Sequence, residues 1–86
     1  VRIEGEYNIV ANCYISDAEI YGVLLTGGGK NKVAGNVIKK DSYSDSQHSI
    51  RVTSSTYNSC SDNIMIGKNY TNAGGATNTF SNNKYS

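Results

Sequence analysis

Several residue types that most globular proteins use freely are absent from this sequence or scarce in it. Its 86 residues contain no proline and no tryptophan, and leucine occurs only at Leu24 and Leu25. A leucine-poor chain rich in asparagine could be read as disordered. The bulky residues that are present argue against disorder, because they are mainly valine, isoleucine and tyrosine, which favour strands. The composition therefore favours an all-β fold.

The sequence also lacks a charge excess and a long apolar run. Its 8 basic and 7 acidic residues give a net charge of +1, so charge offers no case for binding nucleic acid or an anionic membrane. No apolar run is longer than that of Val23 to Leu25, which is too short for membrane insertion. No signal peptide is visible, and because the chain begins at Val1 we expect it to be part of a longer protein.

A nine-residue segment recurs four times, at residues 7–15, 31–39, 58–66 and 78–86. Position six is always asparagine, namely Asn12, Asn36, Asn63 and Asn83. Position three is always apolar, namely Ile9, Val33, Cys60 and Phe80. Position eight is always large, namely Tyr14, Ile38, Met65 and Tyr85. The position-six asparagines are 24, 27 and 20 residues apart, which is typical of a solenoid whose loops vary in length.

A second strand precedes each segment. Apolar residues alternate in it with a period of two, which predicts one inward face made of Val1/Ile3, Val23/Leu25 and Ile50/Val52. In the last repeat Asn72 takes the inward position, so that strand becomes polar. An α-solenoid would need longer repeats and helix formers, whereas these strands are short and punctuated by Gly, Asn and Ser.

The recurrent asparagine has a physical role in such a stack. Asn tolerates the left-handed conformation of a sharp turn, and stacked Asn amides about 4.8 Å apart can hydrogen-bond to each other. The pattern resembles the asparagine ladder of the pectate-lyase-like superfamily over nearly the whole chain. The resemblance implies a single segment, residues 1–86, folded as a right-handed parallel β-helix of about 3–4 coils.

The resemblance is less specific for activity than for fold. The superfamily includes pectate lyases, polygalacturonases, alginate epimerases and phage tailspikes. No lyase or hydrolase signature is matched, so no catalytic residue is assigned. A β-helix this short buries little core and begins directly on a strand. We therefore expect either further coils or association of chains, and tailspikes of this superfamily are homotrimers.

The connections that follow position eight collect ionisable and aromatic residues. We expect these residues to share one loop face as candidates for glycan binding or inter-subunit contact: Asp17, Glu19, Tyr21, Asp41, Tyr43, Asp45, His48 and Arg51. Paired carboxylates can serve in glycoside hydrolysis, and tyrosines can stack on sugar faces. The alternative is a solvated rim on which Arg51 pairs with Glu19 across coils.

Other chemistry is not favoured. His48 has no second histidine or cysteine cluster nearby, so we expect no metal site and no cofactor. Gly27 to Lys30 lacks the ending of a phosphate-binding loop and is better interpreted as a turn. Cys13 and Cys60 could form a disulfide, or could be two buried thiols that act as small hydrophobes.

These patterns leave two hypotheses of function. The first is a structural segment of a phage tailspike or appendage that engages a host cell-surface polysaccharide, is trimeric and is displayed extracellularly or on the virion. The second is the end of a secreted polysaccharide lyase, glycoside hydrolase or epimerase. Oligomeric state separates them, because the enzymes are generally monomers.

Overall fold

The computed structural model describes residues 1–16, 20–40 and 47–86. Within these ranges the chain forms twelve short strands and no helix. The strands are β1 (Arg2–Ile3), β2 (Ile9–Ala11), β3 (Tyr14–Ser16), β4 (Tyr21–Thr26), β5 (Lys32–Ala34), β6 (Val37–Lys39), β7 (His48–Thr53), β8 (Ser59–Ser61), β9 (Ile64–Ile66), β10 (Tyr70–Ala73), β11 (Thr79–Ser81) and β12 (Lys84–Tyr85).

The strands form three parallel sheets of four strands each. The first sheet has the order β1-β4-β7-β10, the second β2-β5-β8-β11 and the third β3-β6-β9-β12. Every third strand therefore lies directly on the strand of the preceding coil, and all pairs are parallel. This arrangement confirms the predicted parallel β-helix.

Apolar side chains from all three sheets meet along the axis of the stack. In the first sheet Val23 pairs with Ile50 and Leu25 with Val52, as predicted, and all four side chains are fully buried. The buried hydrophobic residues are Ile3, Val23, Leu25, Val33, Ile38, Ile50, Val52, Cys60 and Met65. The described core is narrow, so each position contributes a large share of the buried apolar area.

The two ends of the stack differ from its middle. Ile3 pairs with Leu25 and is buried, whereas Val1, the residue before the Arg2–Leu24 pair, is 55% exposed in the first coil. Asn72 pairs with Val52, which confirms the polar residue at that position. In the same last coil the rings of Tyr70 and Phe80 stack with centroids 4.1 Å apart.

Asparagine amides form two hydrogen-bonded ladders along the stack. In one ladder the Asn36 backbone N–H and Nδ2 both donate to Asn63 Oδ1, at 3.1 and 3.0 Å, and Asn63 donates in the same way to Asn83. The other ladder runs through Asn8, Asn31, Asn58 and Asn78. Each Nδ2 of the first ladder also donates to a backbone carbonyl, as Asn63 does to Val33 at 3.0 Å. The ladders thereby satisfy polar groups that the fold removes from water.

The predicted register of the first coil was wrong by one residue. Val10, not Ile9, pairs with Val33, and Ile15, not Tyr14, pairs with Ile38. Ile9 and Tyr14 are consequently exposed.

The shift also removes Asn12 from the ladder. The backbone N–H of Cys13 donates to Asn36 Oδ1 at 2.9 Å, so Cys13 occupies the first ladder position. Asn12 is exposed with a φ of 56° and forms the left-handed turn before it. The ladder prediction is confirmed for Asn36, Asn63 and Asn83 only.

Two columns of left-handed residues mark the turns beside the second sheet. The first turn column precedes the longer ladder and consists of Tyr7, Lys30 and Tyr57, with φ of 61°, 56° and 57°. The second turn column precedes the other ladder and consists of Asn12, Gly35, Asp62 and Asn82. A left-handed φ costs roughly 1–2 kcal/mol for an ordinary residue but little for Gly, Asn or Asp. Only the second turn column uses residues suited to this conformation.

Candidate functional site

Three of the predicted site residues can be located in the structure: Tyr21, His48 and Arg51. The other predictions fall on Asp17, Glu19, Asp41, Tyr43 and Asp45, which lie outside the described residues. The proposed carboxylate pairs and the Arg51–Glu19 pair therefore stay predictions.

A corner in the first sheet sets the direction of two of these side chains. Gly22 and Val23 are both buried in β4, and Ser49 and Ile50 are both buried in β7, which interrupts the alternation of a strand. A Cβ on Gly22 would lie 2.4 Å from Ile38 Cγ2 and 2.6 Å from the Ser49 carbonyl oxygen, so glycine allows this approach. Because of the extra inward residue, Tyr21 and His48 lie on the outer surface together with Arg51.

The three side chains pack against each other on that surface. Tyr21 and His48 are register partners, and their rings stack with centroids 6.3 Å apart at an interplanar angle of 18°. The guanidinium carbon of Arg51 lies 5.5 Å from the centroid of the Tyr21 ring. All three residues are half-buried. We refer to Tyr21, His48 and Arg51 together as the Arg51 face.

The chemistry of the Arg51 face suits a polar ligand with a flat apolar surface. Arg51 is charged at every physiological pH and presents a planar set of donors that matches hydroxyl and carboxylate oxygens. Its contact with the Tyr21 ring is a cation–π interaction, which orders the side chain before a ligand binds. Tyr21 and His48 add aromatic surface of the kind that stacks on sugars.

The described residues contain neither a cluster of metal-binding side chains nor a membrane-spanning helix. No group of three or more His, Cys, Asp or Glu side chains in residues 1–16, 20–40 and 47–86 could hold a metal ion. In the same ranges, no helix is long and apolar enough to cross a membrane.

The first turn column is a second surface cluster, which the sequence interpretation missed. Lys30 Nζ lies 3.4 Å from Tyr7 Oη and 5.5 Å from the centroid of that ring. The predicted alignment placed Tyr7 beside Asn31 and therefore hid the column. Aligning Asn8 with Asn31 would have revealed it, because that register gives asparagine at position one of every copy and puts Tyr7, Lys30 and Tyr57 in line.

The outer surface of the third sheet carries a row of apolar residues. Tyr14, Val37 and Ile64 are register partners on neighbouring strands. Tyr14 is 66% exposed and Ile64 is 43% exposed. We refer to these three residues as the apolar stripe. A row of this kind is typical of a surface that contacts another protein chain.

The two cysteines occupy different environments. Both are free, with Cys13 exposed at the ladder start and Cys60 buried in the core. Burial raises the pKa of the Cys60 thiol to about 12, because the charged thiolate loses its hydration. Cys60 is therefore an unreactive core residue, as the interpretation of two buried thiols predicts, but that interpretation is wrong for Cys13, which is exposed.

Comparisons of the chain with protein-family models, curated proteins and solved structures find no match. The fold therefore rests on the strand pairing and the asparagine ladders alone. A function must be argued from the surface residues.

Proposed function

We propose that the chain is a structural and carbohydrate-engaging segment of a phage tailspike or appendage that contacts host cell-surface polysaccharide. The observation that carries this proposal is the Arg51 face, in which a guanidinium and two aromatic rings are packed together on the outside of a β-helix. The resemblance to the pectate-lyase-like superfamily agrees with it, because many members act on or bind polysaccharides. An extracellular or virion-surface location follows from such a ligand.

A β-helix is a suitable support for an extended glycan. Its sheets hold outward side chains at a fixed spacing of about 4.8 Å along the axis. Side chains on strands are positioned more accurately than side chains on loops, which reduces the ordering cost of binding. Tyr21 and Arg51 lie on β4 and β7, the two central strands of the first sheet. The Arg51 face is therefore rigid in the sense that a sugar-binding surface requires.

The proposal includes association of the chain into a homotrimer through the apolar stripe. Tyr14 and Ile64 expose apolar surface that a neighbouring chain would cover. A short β-helix gains core area from such contacts. Trimers with this arrangement would leave the first sheet, and so the Arg51 face, turned outward.

Glycan binding is the direct test of the Arg51 face. The unmodified chain should bind at least one polysaccharide from a panel of bacterial surface glycans, and Arg51→Ala with Tyr21→Ala should weaken that binding at least tenfold, since each such contact contributes about 1 kcal/mol. Arg2→Ala is the matched control. Arg2 lies in the same outward column but pairs with Glu4 at 2.6 Å and stacks on no ring. If the chain binds no glycan, or if both variants bind equally, the proposal is wrong.

Molar mass by light scattering tests the trimer. Ile64→Lys should shift a trimer to monomer by placing a charge in the apolar stripe, whereas Lys32→Glu on the second sheet should leave the mass unchanged. A monomer well above micromolar concentration would contradict the trimer. Turnover of pectate, alginate or teichoic acid by that monomer would favour the alternative, the end of a secreted polysaccharide enzyme.

A further inference from the structure

The ladder through Asn8, Asn31 and Asn58 places the residues before them one above another. The first turn column therefore runs parallel to the axis of the helix, with Lys30 between Tyr7 and Tyr57. Tyr7 is 71% and Tyr57 64% exposed. Two solvent-exposed aromatic side chains, with a lysine on the coil between them, therefore lie at one corner of the stack.

A comparison within the chain shows that these residues are not what the turn requires. The second turn column has the same left-handed backbone and uses Asn12, Asp62, Asn82 and a glycine. The first turn column has bulky residues at three successive coils, each in a conformation that disfavours them. Strained residues persist where function requires their side chains.

We propose that the first turn column, Tyr7–Lys30–Tyr57, is a binding strip for an acidic polysaccharide whose repeat carries a carboxylate. This inference rests on the proposed function and gives it a ligand class and a second contact surface. The two tyrosine rings take up sugar faces, and the Lys30 ammonium takes up the carboxylate between them.

The spacing and charge of the column fit such a ligand. Tyr7 and Tyr57 are two coils apart, or about 10 Å, which is comparable with a disaccharide in an extended chain. Lys30 is positively charged at neutral pH, as an exposed lysine ordinarily is. Its hydrogen bond to the Tyr7 hydroxyl, with smaller contributions from the charge of Glu6 and from Tyr57, raises its pKa above the usual value. Tyrosine faces and an ammonium group are both common in carbohydrate and carboxylate recognition.

The carboxylate of Glu6 provides a test of whether the ligand is negatively charged. Glu6 pairs with Gly29 in an isolated bridge, and its carboxylate acts on Lys30. Removing this negative charge should favour an acidic ligand, and removing the charge of Lys30 should disfavour it. A neutral glycan would respond to neither change in this way.

A purely structural role for the first turn column predicts a different effect of mutation on Tm and on glycan binding. If the Lys30–Tyr7 contact only stabilises the turn, replacing the tyrosines by asparagine should lower Tm and leave glycan binding unchanged. If the column binds a ligand, the same replacement should keep or raise Tm, because Asn suits the left-handed turn, and should weaken binding.

The experiment measures Kd and Tm for the full chain with hexamers of galacturonate, of guluronate and of neutral dextran. We expect binding of at least one uronate and not of dextran. Tyr7→Asn with Tyr57→Asn should weaken binding about 20-fold with Tm unchanged or higher. Lys30→Gln should weaken binding about fivefold and reduce its salt dependence, and Glu6→Gln should strengthen it about twofold. Asn12→Gly, in the second turn column, is the control and should change neither quantity.

Three results would overturn the inference without overturning the proposed function. Binding of the uronates no better than dextran excludes the acidic class. Unchanged uronate binding with a lower Tm in the tyrosine variant assigns the column a structural role. Glycan binding that is lost in the Tyr21/Arg51 variant but kept in the tyrosine variant leaves the proposed function intact and removes only this second surface. If no glycan of any class binds, both fail together.

Discussion

Replacing Asn63 by leucine should be among the most damaging polar-to-apolar changes in the ladder. Leucine has a similar branched shape but neither donates nor accepts a hydrogen bond. The change would leave three buried groups without their partner: the Asn36 N–H, one hydrogen of Asn36 Nδ2 and the Val33 carbonyl. A buried polar group that loses its partner costs about 1–3 kcal/mol.

The expected cost for Asn63→Leu is therefore at least about 3 kcal/mol, which is a large share of the roughly 5–15 kcal/mol that stabilises a typical domain. Asn36→Leu removes the partner of the N–H of the exposed Cys13 and of the carbonyl of the half-buried Val10, so it should cost about 1–3 kcal/mol. Asn83→Leu removes the partner of the Asn63 N–H, of one hydrogen of Asn63 Nδ2 and of the Cys60 carbonyl, all on buried residues. Because Asn83 itself is half-buried in the last coil, water can replace part of these bonds, and we expect a smaller cost than for Asn63→Leu, about 1–3 kcal/mol.

Urea unfolding followed by far-UV circular dichroism measures this series, with the m-value checked for each variant. Asn63→Leu is predicted to be the most destabilising change, with Asn36→Leu and Asn83→Leu each costing less. In thermal unfolding, Asn63→Leu should lower Tm by roughly 12–24 °C. Asn12→Gly is the control, because Asn12 lies outside the ladder and glycine accepts its left-handed turn.

Two outcomes would refute this reasoning. If Asn83→Leu is as costly as Asn63→Leu, then burial does not determine the value of a ladder amide. If Asn63→Leu costs less than about 1 kcal/mol, then the amides do not hold the coils together and the apolar core alone does so.

Two further predictions concern the cysteines and the corner glycine. Cys13 should react with a maleimide in the folded chain, and Cys60 should react only after unfolding. Because folding raises the pKa of Cys60 from 9.0 to about 12, the free energy of unfolding should fall as pH rises from 9.0 toward 12. This fall should be smaller in the Cys60→Val variant. Equal labelling rates in the folded chain would contradict the burial of Cys60. Gly22→Ala should destabilise the fold by about 1–3 kcal/mol, because the new Cβ would meet the Ser49 backbone. Gly5→Ala is the control and should not destabilise, because the nearest atom to its new Cβ is 3.4 Å away. Equal unfolding midpoints for the two variants would disprove the corner.

The error in the predicted register of the first coil has a physical cause. Asparagine is favoured at two adjacent positions for different reasons: the left-handed turn, as at Asn82, and the ladder, as at Asn83. In the first coil the turn has Asn12 but the ladder position has Cys13. An alignment that matches asparagines alone therefore places the first coil one residue out of register. Ile9 and Val10 are both apolar, so hydrophobicity could not distinguish the two registers.

The rest of the fold was predictable because the physical signals agreed. Val23, Leu25, Ile50 and Val52 alternate with a period of two in strands of equal length, so their pairing followed from the pattern. The grouping of Tyr21 with Arg51 could not be derived in the same way. It depends on the corner at Gly22, where two consecutive inward residues break the alternation that the prediction assumed.

The asparagine ladders also give the stack a direction. The amide contacts that join neighbouring ladder residues all donate toward the later coil, from Asn36 to Asn63 and from Asn63 to Asn83. Reversing one stack against another would bring donors to donors or acceptors to acceptors at the shared end. Contacts between ends with twofold symmetry are therefore disfavoured, and two such stacks are complementary only head to tail, as in a heterologous interface.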